Sequence, residues 1–326
     1  MQILRYTITP LTAFGTPLAG DTLFGQLCWV LHHAKGNSWL TERLAGYTEN
    51  RPFLVVSDAF PQGFLPLPTV PSGFWTADET VDHKILKKKR WLPLEKMEAD
   101  FRDWQSLAYN DTKTADAILR QSGAPLDKVS LQKTEPQSHN SISRATGTTG
   151  EDMFAPYSLA QIWFHPAMRL DLYAVIDEAR IATEDLTAAL ISMGQSGYGA
   201  NASVGLGKFT VKRDDTFSGF SLAPNPNAFL TLAPCAPQGL GFDAAKSFYQ
   251  PLTRFGRHGD TAVLSGNPFK RPLLFAKTGA VFSPLNKPAD PHGFIGQGLA
   301  GVSVTQPEAV AQGYAPVIGI FMEDGR

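Results

Sequence analysis

Glycines are concentrated in one segment of this 326-residue chain, residues 194–208, where five of them fall within fourteen positions. Glycine tolerates positive φ and lets the backbone approach another polymer closely. Successive N–H groups in such a loop can form a concave site for phosphate oxygens. The alternative is a tight connection between a helix and a strand that needs glycine for steric reasons alone. Both interpretations fit the spacing of these glycines.

Two further segments carry polar or charged groups and few apolar ones. Residues 139–150 combine an imidazole, a guanidinium and several hydroxyl groups, which suit contacts to phosphate, ribose 2′-OH and base edges of single-stranded RNA. Residues 87–90 are four cations followed by Trp91, and such a cluster can follow a phosphate backbone and stack a base. A solvated loop and a solvated charged face are the respective alternatives. The residues predicted to contact RNA are Lys88, Lys89, Arg90, His139, Asn140, Ser141, Arg144, Thr146, Thr148, Ser196, Gly197, Tyr198, Gly199, Asn201, Ser203 and Lys208.

Motifs for nucleotide cofactors and for catalysis are not assembled in this sequence. Residues 197–202 fit G-x-G-x-x-A but follow a helical pattern, and Gly207-Lys208 lacks the first glycine and the Ser/Thr of a P-loop. No HExxH, paired CxxC or paired-carboxylate metal motif occurs. His32 and His33 are adjacent, so on a helix they point in different directions. We predict no cofactor, no metal and no catalytic residue, with a histidine acting as general base in RNA cleavage as the alternative.

Hydrophobic periodicity predicts the elements that must position these segments. Alternating patterns predict strands at 1–9, 51–57, 168–176 and 208–212. Helices are predicted from an N-cap at 20–22, over 95–108, and from a cap at Thr183. Residues 110–149 are polar and are predicted to be weakly structured. Shorter strands are predicted at 229–232, 273–276 and 317–321.

These elements predict an α+β fold of two ferredoxin-like (RRM-like) modules. Strand, helix, strand, insertion, strand, helix, glycine loop and strand follow one another in the N-terminal module, close to a βαββαβ unit. That module spans residues 1–215 with an insertion at about 61–165, and a degenerate C-terminal module spans 216–326. Tyr198, Trp91 and Phe209 are candidates for stacking on bases. A core position is the alternative for Tyr198 and Phe209, and it explains Phe209 better because that residue lies in a strand.

The overall composition excludes a binder that depends on bulk positive charge. The formal net charge is −1 and the hydrophobic fraction is 43%, which suit a globular core and still allow a local basic face. Two cysteines are too few for a disulfide framework, and no run of about 20 apolar residues could cross a bilayer. We therefore expect a soluble protein in a reducing cytoplasm, with no membrane partner.

Several motifs occur in an order that resembles a known family. They are DTLFG at 21–25, FLVVSDAFP at 53–61 with LP at 65–66, KKR at 88–90, HNSISR at 139–144 with TGTT at 146–149, and GYG at 197–199. In this order the chain resembles subunit four of the type III-A (Csm) CRISPR effector, a RAMP-superfamily protein of the Cas-five group. The resemblance extends to about Phe209 and continues weakly towards Tyr314.

The resemblance implies a non-catalytic subunit for antiviral defence that caps the 5′ repeat-derived tag of the crRNA. It also implies two partners, the large polymerase-like subunit and the backbone RAMP subunit. The tag would be gripped at residues 88–90, 139–149 and 196–208. Ala200 and Asn201 stand where the family commonly has basic residues, and Ser143 where asparagine is usual, so the glycine loop should depend more on backbone N–H groups.

Two other classes of function are compatible with the same residues. A repeat-processing, metal-independent endoribonuclease of the same superfamily would use His32, His33 or His139 to deprotonate a 2′-OH. A module that binds only proteins would explain the net charge near zero.

Overall fold

The computed structural model describes residues 1–76, 82–124, 130–220, 223–264, 266–286 and 292–323. The strands of this part of the chain are β1 (Gln2–Pro10), β2 (Leu54–Pro61), β3 (Phe64–Pro66), β4 (Trp91–Pro93), β5 (Gln132–His139), β6 (Tyr157–Phe164), β7 (Leu170–Ile176), β8 (Phe209–Arg213), β9 (Ala228–Thr231), β10 (Pro251–Arg254), β11 (Leu273–Ala276), β12 (Val281–Phe282), β13 (Phe294–Leu299) and β14 (Ala311–Ile320). The helices are α1 (Gly20–Lys35), α2 (Asn37–Leu44), α3 (His83–Leu86), α4 (Trp104–Leu107), α5 (Asp111–Ser122) and α6 (Thr183–Ser196). None of the described helices combines the length and apolar character needed to cross a membrane.

The first sheet has four antiparallel strands in the order β2-β7-β1-β8. Burial alternates along β1 because one face packs against helices, and the Tyr6 hydroxyl lies 3.0 Å from Thr187 Oγ1 on α6. The four strands predicted in the first 215 residues are confirmed, although β2 begins at Leu54 and runs to Pro61. The predicted order of strand, helix, strand, insertion, strand, helix, glycine loop and strand is confirmed as well.

The second sheet is formed by the C-terminal part of the chain, in the order β12-β9-β14-β13. The three strands predicted after residue 215 correspond to β9 and β14 in this sheet and to β11, which pairs with β10 in a separate two-stranded sheet. Among the described residues after 215, helical structure is limited to one 3₁₀ turn, Asp260–Leu264. A buried cluster contains Phe60 and Tyr173 from the first sheet and Leu230 and Ile318 from the second. The two sheets therefore share a core, and the 215/216 boundary stays a prediction.

A buried side chain also joins the two sheets through polar contacts. The fully buried Gln312 on β14 donates from Nε2 to the Val56 carbonyl oxygen (2.8 Å) and accepts from the Val56 N–H (2.9 Å). Its amide thereby pairs with β2 as a neighbouring strand would. Because an unpaired buried amide costs about 1–3 kcal/mol, this reciprocal pair fixes the relative position of β2 and β14.

The helix predicted over residues 95–108 is wrong. The chain forms a 3₁₀ turn at Leu94–Lys96, a second at Phe101–Asp103 and the single turn α4. The Asp100 carboxylate accepts from the Arg102 N–H (2.8 Å) and starts a new turn where a continuous helix would have passed. Phe101 and Trp104 are buried, as their spacing predicted, so the apolar pattern was correct while the regular helix was not.

The prediction that residues 110–149 are weakly structured is also wrong for most of that segment. Asn110 caps α5 by accepting from the Lys113 N–H (2.8 Å), and Ile118 and Leu119 on that helix are buried. Strand β5 then pairs along its whole length with β6. Residues 125–129 lie outside the described residues.

Helix α1 begins without the cap that the sequence predicted. Its first N–H, that of Gly20, donates to Asp58 Oδ1 (2.8 Å), and no side chain at 19–22 caps the helix. The other oxygen, Asp58 Oδ2, accepts from the Thr278 hydroxyl (2.6 Å) in the C-terminal half. Burial raises the pKa of Asp58 to about 6, even though both hydrogen bonds favour the charged form. A remote carboxyl thus replaces the predicted local cap.

The pKa of Asp58 predicts how pH affects stability. A carboxyl with a folded-state pKa of about 6, against 3.8 ordinarily, binds its proton more tightly when folded. The contribution of Asp58 to the free energy of unfolding therefore falls as pH rises from about 4 to 6, by about 3 kcal/mol in full. Asp58→Asn keeps an oxygen that accepts from the Gly20 N–H, and its amide NH2 can donate to the Thr278 hydroxyl with the direction of that bond reversed. We expect this variant to be more stable than the wild type at pH 7.5 and of equal stability near pH 4.

Urea denaturation of both proteins at pH 4, 5, 6 and 7.5 measures this difference. Hydrogen bonds from Thr216 and Arg5 lower the pKa of Asp214 to about 2. This residue is present in both proteins, so its effect on the pH dependence cancels. A stability difference that stays constant over this pH range would contradict the assignment to Asp58.

Candidate nucleic-acid interface

Residues 11–17, here called the connecting segment, join the base of the β5–β6 hairpin to the body of the protein. Phe14 and Ile162 exchange both backbone hydrogen bonds, each at 2.9 Å, so the segment pairs with β6 at one point. This bridge at Ile162 lies five residues from Tyr157, the end of β6 at the hairpin tip. The hairpin is therefore attached near its base while its far end extends away.

The other side of the connecting segment accepts hydrogen bonds from the glycine loop. Three loop N–H groups donate to it: Gly207 to the Ala13 carbonyl (2.7 Å), Lys208 to Thr12 Oγ1 (2.9 Å) and Ala200 to Thr16 Oγ1 (2.9 Å). The glycine loop and the hairpin are consequently held in a fixed relation, although about 30 residues separate them in sequence.

Phe14 fills the space between these structures. Its side chain is 1% exposed, and its ring centroid lies 5.7 Å from that of Phe164, 6.4 Å from Tyr198 and 6.5 Å from Phe209. Tyr198 is fully buried and donates its hydroxyl to the Pro17 carbonyl (2.9 Å). Tyr198 and Phe209 thus belong to the core that supports the loop, which was the alternative to their stacking on bases.

Most N–H groups of the glycine loop are used inside the protein. Those of Gly197, Tyr198 and Gly199 donate to Met193, Gly207 and the Gln26 side chain, respectively. Together with the three donors to the connecting segment, these bonds leave no run of free amides at 197–200 or 207–208. At these positions the paired amides favour the alternative of close packing over a phosphate nest. The loop is a rigid support for its exposed side chains.

Exposed side chains of the loop face solvent beside this support. Ser196, Ser203 and Lys208 are exposed, and Asn201 is half-buried with a left-handed backbone (φ 62°). Gly197 and Gly207 are buried. Of the predicted contact residues here, the serines and Lys208 can reach a ligand directly.

The second predicted segment forms the tip of the β5–β6 hairpin. Most side chains on both strands are exposed or half-buried, and cover from the rest of the described chain is concentrated at the base, where Gln161 is buried and Phe164 packs against Phe14. The His139 ring stacks on Tyr157, with centroids 5.2 Å apart and planes 12° from parallel. Asn140, Arg144, Thr146 and Thr148 are exposed beyond that pair, and Ser141 is half-buried.

The hairpin tip is well separated from the glycine loop. Tyr157 lies five residues from Ile162 along β6, so the tip begins about 17 Å from the connecting segment at roughly 3.3 Å per residue. The structure therefore places one predicted segment beside the base of the hairpin and the other at its tip, and it does not bring them into a single pocket. Such an arrangement suits an extended polymer.

The third predicted segment, the basic turn at residues 87–90, is partly engaged with its surroundings. Lys89 Nζ donates to the Ser106 carbonyl (2.6 Å), and Arg90 lies 3.8 Å from the Asp111 carboxylate. Asp111 also accepts from Trp91 Nε1 (2.7 Å), which fixes that ring. Lys87 and Lys88 are exposed.

A cleft of about 850 Å³ connects the basic turn with the connecting segment and the hairpin base. Thr16 lines it beside Lys87, Lys89 and Arg90, and Lys277 enters from the C-terminal half. Sequence analysis missed Thr16 and Lys277. Neither lies in a polar or basic run, and only the pairing of distant strands brings them to this site.

Of the histidines considered for RNA cleavage, His139 lies at the hairpin tip, whereas His33 lies away from the candidate interface. His33 Nε2 lies 2.6 Å from Asp260 Oδ2, an exposed pair near the C-terminal end of α1. Thirteen residues of helix separate His33 from Gly20 at the cleft end, which is about 20 Å at 1.5 Å per residue. Within the described ranges no three His, Cys, Asp or Glu side chains form a cluster suited to a metal ion.

Comparison with known proteins gives a similarity of fold. No protein-family model and no curated protein matches the chain. A chain of the Csm3–Csm4 subcomplex of a type III-A CRISPR-Cas interference complex is similar over 97% of this chain and 99% of that chain, at 16% identity and a TM-score of 0.61. Chains from two structures of the Csm1–Csm4 cassette are similar over 99% of this chain and 100% of theirs. The chain from the complex with cA4 has 14% identity and a TM-score of 0.58, and the chain from the complex with AMPPNP has 15% identity and a TM-score of 0.57.

This chain is similar in fold to Csm4, the component that these structures share. The resemblance that the motifs indicated is therefore confirmed at the level of fold, over nearly the whole chain. At 14–16% identity the comparison adds nothing about individual residues. The assignment of site residues depends on the geometry above and stays a prediction.

Two glycines of the loop make the packing testable. Gly207 has φ +72°, and a Cβ there would overlap the main chain of Tyr198. Gly205 has φ +99°, and a Cβ there would meet nothing within 4 Å. We expect Gly205→Ala to cost about 1 kcal/mol from backbone strain alone, and Gly207→Ala about 2–4 kcal/mol because steric overlap is added.

Chemical denaturation of the two variants and the wild type tests this expectation. The two substitutions add the same methyl group at a residue with positive φ, so each serves as a control for the other. Equal losses in the free energy of unfolding would show that the loop does not pack as described.

Proposed function

We propose that this protein is a non-catalytic, crRNA-binding subunit of a type III-A CRISPR effector complex, capping the 5′ repeat-derived tag. The observation that carries the proposal is the similarity of fold to Csm4-containing structures over 97–99% of the chain. The motif resemblance, obtained from sequence alone, supports the same assignment.

The chemistry of the candidate interface supports an RNA ligand. The hairpin tip presents Arg144 and exposed hydroxyl groups, and the glycine loop presents Lys208 and two serines. Cations bind phosphates, while hydroxyl and amide groups reach the 2′-OH and base edges that distinguish single-stranded RNA. The elongated arrangement from the loop to the hairpin tip suits several consecutive nucleotides.

The proposed partners are the large polymerase-like subunit and the backbone RAMP subunit, which this protein would bridge. Similar chains occur in complexes with Csm1 and with Csm3. We interpret the first sheet with α1 and α6 as one ferredoxin-like module, and the second sheet as a degenerate module whose helices are reduced. Partner subunits would then cover the exposed faces of the hairpin.

Removing charge from the loop and the hairpin tip tests RNA binding. The tagged protein is purified from cells that express the neighbouring subunits and a CRISPR array, and bound small RNAs are sequenced. We expect RNAs that share one repeat-derived 5′ end. Arg144→Ala combined with Lys208→Ala should reduce their recovery about tenfold, because two phosphate contacts are lost.

The control variant removes two exposed charges outside the interface. Arg51 precedes β2 at the end opposite Asp58, and Lys96 lies in a 3₁₀ turn; neither lines the cleft. Arg51→Ala combined with Lys96→Ala should leave RNA recovery unchanged. An intact wild-type complex without bound RNA would reject tag capping and favour a module that binds only proteins.

The alternative, a metal-independent ribonuclease, has one specific observation in its favour, the hydrogen-bonded His33–Asp260 pair. A carboxylate can orient a histidine that acts as general base. The pair lies about 20 Å along α1 from the cleft, which places it outside the proposed interface. We expect no cleavage when the protein is incubated with repeat RNA in EDTA. Site-specific cleavage that disappears in His33→Ala would establish the ribonuclease instead.

A further inference from the structure

The cleft beside the basic turn has the dimensions and composition of a ligand site. Its volume of about 850 Å³ lies within the roughly 300–1,000 Å³ typical of small-molecule pockets. The end of β2, residues 66–70, the basic turn and the base of the hairpin surround it, and Lys277 and Thr278 close it from the C-terminal half. No predicted function of the glycine loop or hairpin tip uses this space.

Positive charge dominates the cleft. Lys87, Lys89, Arg90 and Lys277 line it, against the carboxyl groups of Asp58 and Asp111. Lys87 and Lys277 are exposed on opposite halves of the chain. Cations on two sides of one cleft attract an anionic ligand, and RNA supplies such an anion in the phosphates of its backbone.

Apolar and aromatic side chains form the walls. Trp91 and Phe164 are half-buried and line the cleft, with Phe60 and Trp75 more deeply buried beside them. Trp91 is fixed through its indole N–H by Asp111, and Phe164 packs edge-on against Phe14. Rigid rings beside a row of cations are the combination that binds single-stranded nucleic acid, where each stacked base contributes about 1–3 kcal/mol.

One polar group lies deeper in the cleft. Asp58 is half-buried, and its two oxygens each accept one hydrogen bond, from Gly20 N–H and from Thr278. An ionised carboxylate has about four acceptor positions, so two remain for a ligand. Carboxylates in nucleic-acid interfaces accept from the amino groups of bases. Uracil carries no such amino group.

We propose that this cleft binds one nucleotide of single-stranded RNA, its phosphates at Lys87 and Lys277 and an amino-bearing base against Trp91 and Phe164, donating to Asp58. The inference rests on the proposed function, since the nucleotide belongs to the RNA that the subunit holds. It adds a residue of the C-terminal half, Lys277, to a surface otherwise built by the N-terminal half. Thr16 links the site to the glycine loop through its bond from Ala200.

Nucleotide-resolution footprinting of the bound RNA within the assembled complex tests this site. We compare 2′-OH acylation in complexes with wild-type protein, with Lys87→Ala combined with Lys277→Ala, and with the control Arg51→Ala combined with Lys96→Ala. The cleft variant should raise the reactivity of one nucleotide about tenfold and leave the other protected nucleotides unchanged. Both lysines are exposed, so their removal does not threaten the fold.

The outcomes separate this inference from the proposed function. An unchanged footprint in the cleft variant, with RNA retained, overturns the nucleotide site and leaves RNA binding by the subunit standing. An equal rise in the control variant overturns it too, because bulk charge would then be the cause. A wild-type complex without RNA overturns both proposals.

Base substitution at the protected nucleotide tests the contact with Asp58. RNAs with A, C or G at that position should be protected in the wild-type complex about tenfold better than RNA with U. Asp58→Asn, which keeps an acceptor for the Gly20 N–H and can donate to the Thr278 hydroxyl in place of accepting from it, should reduce this difference. Equal protection of all four bases by the wild type removes Asp58 from the site.

Discussion

Phe14 and its neighbours occupy the narrow space between the glycine loop and the β5–β6 hairpin, and both structures depend on that packing. The segment is irregular, so its backbone groups must find partners outside a sheet. They find them on two sides, in the hydrogen bonds with Ile162 and with Gly207. The ring of Phe14 then excludes water from the space between Phe164 and Tyr198. This buried side chain and the hydrogen bonds of the connecting segment together hold the two surfaces in a fixed relation.

The glycine loop shows how steric need and function can use the same residues. Gly207 is required because the Tyr198 main chain occupies the place of a Cβ, and the amides around it are consumed in bonds to the connecting segment. A loop whose N–H groups at 197–200 and 207–208 are all used cannot rearrange there without losing several hydrogen bonds, each worth about 1 kcal/mol net. The rigidity that removes a phosphate nest also holds Lys208 and the exposed serines at fixed positions. Binding then depends on side chains that are already ordered.

Elements with regular apolar periodicity could be predicted from the sequence, and elements made by long-range pairing could not. The alternation in β1 and β7 and the apolar face of α6 are local signals, and all three were placed correctly. Strand β5 carries no such signal: its sequence is polar on both faces and contains Pro136. It forms because β6 supplies its partners, and Pro136 is tolerated because each strand of a two-stranded ribbon is an edge. The cap of α1 was missed for the same reason, since Asp58 lies 38 residues from Gly20. The predicted contact residues cluster in sequence, whereas Thr16 and Lys277 carry no local signal.

The exposed hairpin makes assembly with other molecules a physical expectation of this fold. An isolated two-stranded hairpin is marginally stable in water, because it buries too little surface to offset the entropy of ordering its chain. Here the base of the hairpin is anchored at Phe14, while the half that carries His139 and Tyr157 has its own cross-strand pairs and little else from the described chain. Tyr157 and Trp163 are 50% and 44% exposed on this ribbon, so both rings are accessible to a partner. A ligand or subunit that covers these rings would gain their apolar burial without deforming the protein, because the anchor already fixes the direction of the hairpin. The same anchor orients the glycine loop, so one rigid junction would present both surfaces to an RNA strand in a single register.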